Sequence, residues 1–210
     1  LAMSINQNAF AGVLQAVKDC SVGRFIYASS VAAYGDRDNA DETSGLKPTT
    51  KYGEGKAYCE QALKQFAYNE TPYIVTRSAS VCGFSPRMRY DLMVNKMTRD
   101  AMKQGVITVN GGEQVRSHVH INDVCRLYRY LLDAKGIENE AFNVVSENMS
   151  VLRTAELVAR TLGNTHIDVR PPTDNRSYSV SGEKAQKKLG FKPLYSVSDA
   201  ILENYLNFYP

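Results

Sequence analysis

The sequence predicts an α/β fold built on a doubly wound parallel sheet, and three observations carry that expectation. Short apolar runs alternate with amphipathic stretches of ten or more residues, the order in which a parallel sheet and its crossover helices are written. The apolar runs, RFIYASS and TPYIVTRSASVCG among them, show no polar alternation, as strands covered on both faces require. A chain of 210 residues, 43% of them hydrophobic, can bury one sizeable core or one large and one small.

Each element follows from local pattern. LAMSINQNAFAGVLQAVKDC repeats apolar residues at helical spacing from Ile5 to Val17, so the chain opens in a helix. GRFIYASS, residues 23–30, predicts a buried strand, and GDRDNADETSGLKPTT, rich in Asp, Gly, Thr and Pro, a loop. Thr49 or Thr50 caps a helix reaching about Tyr68. Residues 71–83 read as one strand. A helix from Tyr90 to Lys103 stops near Gly105, VITV (106–109) is a short strand, and NGG turns the chain. RSHVHI is a strand, and Asn122 or Asp123 caps the helix after it. AFNVV is a strand, SVLRTAELVARTLG a helix stopped by Gly163, and HIDVRP a strand. SGEKAQKKLG and SVSDAILENYLNFY are the last two helices.

Charge and composition narrow the function classes. The 25 basic and 22 acidic residues are scattered, with a net charge of +3, no basic run and no basic amphipathic helix, so neither nucleic acid nor a membrane surface is an expected partner. No apolar stretch is long enough to span a bilayer and none reads as a signal peptide, so the chain is read as cytoplasmic. Cys20, Cys59, Cys82 and Cys125 are widely spaced and form no CxxC, which predicts buried thiols rather than a disulfide framework or a zinc site. His118 and His120 would share one strand face, a spacing open to metal ligation, but without a third ligand nearby they read as ordinary strand histidines and no metal is expected.

The stretch KYGEGKAYCE, residues 51–60, points to chemistry. Tyr52 and Lys56 stand four apart and share a helix face. A phenol with a reference pKa of about 10 is a poor base at neutral pH unless a nearby cation favours the phenolate. Lys56 supplies that cation. Gly53 and Gly55 each cost roughly 1 kcal/mol against alanine inside a helix, which is reasonable where something flat and bulky approaches that face closely. Ser29 and Ser30 fall at the carboxyl end of a predicted strand, where open α/β sheets bind ligands.

NQNAFAGVLQAV, RFIYASSVAAYG, YGEGKAYCE, TRSASVCGFSPRMR, GGEQVRSHVHINDV, AFNV and KKLGFKPLYSVSDAI follow one another in the order of the extended short-chain dehydrogenase/reductase family. More narrowly, the chain resembles the NAD-dependent nucleotide-sugar epimerase/dehydratase group of that family, over essentially its whole length. The resemblance implies a Rossmann-like sheet and a small carboxyl-terminal lobe. It implies Ser30, four positions before Tyr34, as the catalytic serine, Tyr52 as the general acid/base and Lys56 as its partner. Asn6 matches an asparagine that helps hold the lysine. The implied cofactor is NAD or NADP, with Ser29, Tyr52, Lys56 and Ala79 on its side of the site. The implied substrate is a nucleotide-diphosphate sugar. Arg116, Arg170 and Arg176 are suited to its phosphates, Arg89 with Arg87 falls in a bordering loop, and Ser80 stands where many relatives carry an asparagine touching the sugar.

Two departures shape the expected activity. Where the 4,6-dehydratases of the group carry an acidic pair after the catalytic hydroxyl, this chain has Val31 and Ala32. That favours a C4 epimerase, with an NADPH-dependent 4-keto-sugar reductase and a non-catalytic sugar-nucleotide-binding fragment as the alternatives. No GxGxxG or GxxGxxG occurs, and the chain opens on Leu1 within a helix, so it is expected to start mid-domain with the first strands absent. Residues 1–83 are then the rest of the dinucleotide-binding domain. Residues 84–210 are mainly the substrate lobe, with 106–145 returning strands and a helix to the first sheet. The helices at 3–19 and 50–68 are expected to pair in a homodimer, with Phe10, Leu14, Tyr58, Leu63 and Phe66 along the seam.

Overall fold

Where the apolar runs pack decides the architecture. A computed structural model describes residues 9–66 and 71–208. In chain order its elements are α1 (Ala9–Asp19), β1 (Phe25–Ser30), α2 (Lys51–Phe66), β2 (Tyr73–Ser78), β3 (Ser80–Cys82), α3 (Met93–Gln104), β4 (Val106–Asn110) and β5 (Val115–His120). There follow α4 (Ile121–Asp133), β6 (Glu140–Val144), β7 (Glu147–Ser150), α5 (Val151–Leu162), β8 (His166–Arg170), α6 (Glu183–Leu189) and α7 (Val197–Leu206). The chain is of the α/β class with parallel, Rossmann-like pairing, as predicted, and it divides into two units.

The first unit comprises Leu1–Ala79, Leu127–Val144 and Val180–Phe191. Its sheet runs β1-β2-β6, all parallel, with Phe25 opposite Tyr73 and Ser30 opposite Ser78 at the two ends of the first pairing. Phe10 and Leu14 from α1 and Cys59 and Leu63 from α2 bury against Tyr27, Tyr73 and Val75. The rings of Phe10 and Tyr27 stand 5.0 Å apart. The apolar face of each helix is therefore used inside the chain. Of the expected dimer seam, Phe10, Leu14 and Leu63 belong to this core and Phe66 packs against it, while Tyr58 is exposed beside neither. Asn6 and the ends of the two expected seam helices lie outside the described residues.

The second unit comprises Ser80–Arg126, Val145–Ser179 and Lys192–Pro210. It holds a sheet in the order β3-β5-β7, with β7 antiparallel, and a parallel pair β4-β8. Val94, Met97, Ile107, Val109, Ala155, Val158 and Ile201 fill its core from α3, β4, α5 and α7. Gly105 closes α3 in the left-handed region at φ 66°, as expected, Ser150 caps α5, and Ser196 and Asp199 form a capping box on α7.

Four expectations change. The single strand at 71–83 is two strands in different sheets, broken at Ala79, whose N–H donates to the Val144 carbonyl at 2.9 Å. Of 106–145, only β6 joins the sheet of the first unit; β4 and β5 pair within the second. Asp123 is not a cap but a buried anchor inside α4, accepting from the backbone of Leu194 and Tyr195 and paired with Arg126 at 2.7 Å. The thiols also divide: Cys59 and Cys82 are buried, Cys20 and Cys125 exposed, and all four are free. Among the described residues no helix is long and apolar enough to cross a membrane.

Candidate active site

The serine turn grows out of β1. Ser30 ends the strand with extended backbone and caps a 3-10 turn, Val31–Ala33, its Oγ accepting from the Ala32 N–H at 3.2 Å. Tyr34 closes that turn. Helix α2 lies alongside. The Thr50 hydroxyl accepts from the Gly53 N–H at 3.0 Å and so starts the helix. One turn on, the Lys56 Nζ donates to the Ala28 carbonyl, two residues before Ser30, at 2.8 Å. The same ammonium stands 5.7 Å from the centre of the Tyr52 ring and 5.2 Å from that of Tyr27. Tyr52 itself is 47% exposed. Burial lowers the Lys56 pKa, and the neighbouring Cys59 and Glu60 oppose that shift without cancelling it.

Gly53 corrects one reading of the sequence. A Cβ there would sit 2.4 Å from the Ala32 carbonyl oxygen and 3.0 Å from Pro48 Cβ. What needs the missing side chain is the chain's own serine turn, which packs its backbone on α2. Gly53→Ala is therefore expected to destabilise the fold. Overpacking typically costs about 1–3 kcal/mol and falls here on an immobile carbonyl, outweighing the roughly 1 kcal/mol gained from alanine's helical preference. A urea midpoint at or above that of the native protein would contradict this packing account.

Beneath the turn lies a buried polar cluster that the sequence reading missed. Glu60, four residues beyond Lys56, is 1% exposed and pairs with Arg77, 3% exposed, through contacts of 2.6, 3.1 and 3.2 Å. The Ser29 hydroxyl donates to the Glu60 carboxylate at 2.5 Å. Arg77 also donates to the Tyr34 hydroxyl at 2.7 Å. Burial alone would lower the Arg77 pKa, but the hydrogen bonds and charge of Glu60 outweigh it and raise the pKa. A signal was present: an arginine inside an apolar strand, TPYIVTRSAS, must find a buried partner.

The second unit gathers some of the expected phosphate ligands and not others. Arg116 donates to the backbone carbonyls of Val115 and Arg176 and pairs with Asp174 at 3.2 Å. Arg176 pairs with the same carboxylate at 2.6 Å, and its hydrogen bond above all holds the Asp174 carboxyl down at about 2. Arg170, paired with Asp168 at 2.7 Å, lies on the wall of a cavity of about 580 Å³ shared with Gly111, Gln114, Asn175 and Ser177. Arg89 pairs with Asp91 in an exposed loop at 2.7 Å. Ser80 lies opposite His118 in the β3-β5 register. Both strand histidines are buried; burial, then the charge of Arg116, holds His118 down at about 4, and His120 stacks on Tyr195 at 4.8 Å. Among the described residues no three His, Cys, Asp or Glu side chains gather as a metal set.

Thus Ser29, Ser30, Tyr52, Lys56 and Ala79 all belong to the first unit, the first four clustered where β1 meets α2. Arg89, Arg116, Arg170, Arg176 and Ser80 belong to the second, where Arg116 and Arg176 converge on Asp174.

Comparison with known proteins places this geometry among relatives. Residues 2–144 match the NAD dependent epimerase/dehydratase family. The chain is 26% identical, over 93% of its own length, to the uncharacterized UDP-glucose epimerase YtcB of Bacillus subtilis, of which it spans 64%. In fold it is similar to a UDP-glucose 4-epimerase of Thermotoga maritima solved with UDP-glucose, at TM-score 0.84 and 25% identity, covering 96% of this chain and 68% of that one. It is similar also to a dTDP-glucose 4,6-dehydratase of Bacillus anthracis solved with NAD, at TM-score 0.87 and 21% identity, covering 98% and 69%.

Proposed function

The chain belongs to the NAD dependent epimerase/dehydratase family, and from that premise we propose that it serves an NAD(P)-dependent nucleotide-sugar epimerase acting at C4 of the sugar. The observation that carries the reading is the Lys56 ammonium, bonded to the Ala28 carbonyl beside the serine turn and one helical turn from Tyr52. Among the described residues that is its one hydrogen bond, so two N–H donors remain for a ligand's hydroxyls. This donor set fits a nicotinamide dinucleotide, whose ribose offers hydroxyls to such a lysine. When bound, that group supplies the hydride acceptor and donor.

The chain's own residues do the rest. The Ser30 hydroxyl donates to the sugar oxygen and fixes its position. The Tyr52 phenolic oxygen, with the Lys56 charge beside its ring, takes the proton from the sugar oxygen and later returns it. The exposed Tyr52 ring leaves its hydroxyl accessible to a substrate. Epimerisation needs no further acid or base, and the turn after Ser30 offers none: Val31 is buried and Ala32 carries no ionisable group. That supports epimerisation over 4,6-dehydration. On the substrate side, Arg116, Arg176 and Arg170 are proposed to meet the diphosphate, with Arg89 and Ser80 as further contacts. A homodimer through α1 and α2 would rest on their exposed residues, Val13 and Tyr58, in place of the buried ones.

The test is conversion of UDP-glucose to UDP-galactose in the presence of NAD, read from the sugar's proton spectrum; a full-length protein that binds UDP-glucose and never equilibrates it would overturn the reading. Arg116→Ala is expected to raise KM for UDP-glucose about 10- to 100-fold, the loss of one charged hydrogen-bonding group worth about 1.5–3 kcal/mol. An unchanged KM would remove Arg116 from the diphosphate set.

A further inference from the structure

The same ion pair holds both sides of the catalytic serine. Ser29, just before Ser30, donates to Glu60 at 2.5 Å. Tyr34, four residues after Ser30, accepts from Arg77 at 2.7 Å and donates to the Asn143 side-chain oxygen at 2.8 Å. Asn143 cannot easily turn away, because its amide nitrogen donates to the carbonyls of Ala40 and Ser181 at 3.1 and 2.9 Å, leaving its oxygen to face Tyr34. Tyr34 is 1% exposed, with the Arg77 guanidinium 4.9 Å over its ring. Burial pushes its phenol up to about 12, so the hydroxyl stays a donor at neutral pH. Glu60 is carried on the helix that bears Tyr52 and Lys56.

We propose that Tyr34 is a positioning residue, fixing the turn that carries Ser30 by clamping it to the Glu60–Arg77 pair and Asn143. Through Glu60 the clamp sets that turn against the Tyr52–Lys56 face of α2. A buried pair is weak support for stability, since apolar residues of similar volume often serve as well or better. A frame for a reacting hydroxyl has a stricter demand, because a displacement near 1 Å at the site can cost about 10²-fold in rate. The inference rests on the reading of Ser30 as a catalytic hydroxyl.

Tyr34→Phe removes one oxygen and leaves the ring. In the full-length protein with NAD and UDP-glucose, kcat is expected to fall at least 10-fold while KM stays within about twofold, because Tyr34 touches no substrate. In a Ser30→Ala background the same change is expected to cost nothing more, since the hydroxyl it positions is gone. Equal losses in both backgrounds, or no loss in either, would overturn the positioning role. Should Tyr34→Phe not fold, Ser29→Ala cuts the other tie and must show the same dependence on Ser30. Full activity in Ser30→Ala alone would instead sink the reading of the serine, a result distinct from either outcome for Tyr34.

Discussion

Tyr52→Phe is expected to fold as the native protein does and to lose turnover of the proposed substrate, UDP-glucose, by roughly 10² to 10⁴, the usual contribution of a positioned acid/base. The ring volume is kept and Tyr52 is half-exposed, so unfolding should shift by no more than about 0.5 kcal/mol. Rate and stability thus separate in one variant. Lys56→Met extends the test, since it removes the cation beside the ring and is expected to lower turnover as well. Near-normal turnover in Tyr52→Phe would leave the Tyr52–Lys56 pair without a chemical role.

The largest loss of stability is expected from Glu60→Ala. Truncation leaves Arg77 buried at 3% exposure with its charge unpaired, a change that costs about 3–5 kcal/mol where such pairs have been broken. Native domains hold only about 5–15 kcal/mol in total, so this variant should unfold at a much lower urea concentration. Replacing both partners, Glu60→Met with Arg77→Met, is expected to recover a good part of the loss, because no charge then stays in the interior. A Glu60→Ala midpoint close to the native value would mean that Arg77 reaches water or another anion on losing its partner.

The sequence made much of the fold and part of the site legible, for identifiable physical reasons. Period and end signals located the helices because Thr50, Gly105 and Gly163 carry theirs within a few residues. The same local reading joined β2 to β3, since nothing in TPYIVTRSASVCG tells a strand that continues from one that changes sheet at Ala79. Tyr52 and Lys56 could be paired because helical spacing alone brings them together. Glu60 and Arg77, 17 residues apart, meet only through tertiary packing. Gly53 shows the limit from the other side: its rarity inside a helix was visible, but the Ala32 carbonyl that demands it belongs to a distant segment.

Three of the arginines proposed to meet the diphosphate or border its site are matched by carboxylates two residues away: Arg89 by Asp91, Arg170 by Asp168, and Arg176 by Asp174, which Arg116 shares. The aspartates offset most but not all of this positive charge, so these groups project a reduced field into solvent. An anion reaching them must trade places with a resident aspartate. Its grip is then the difference between two similar attractions, so selectivity against sulfate or free phosphate has to come from neutral contacts to the rest of a ligand.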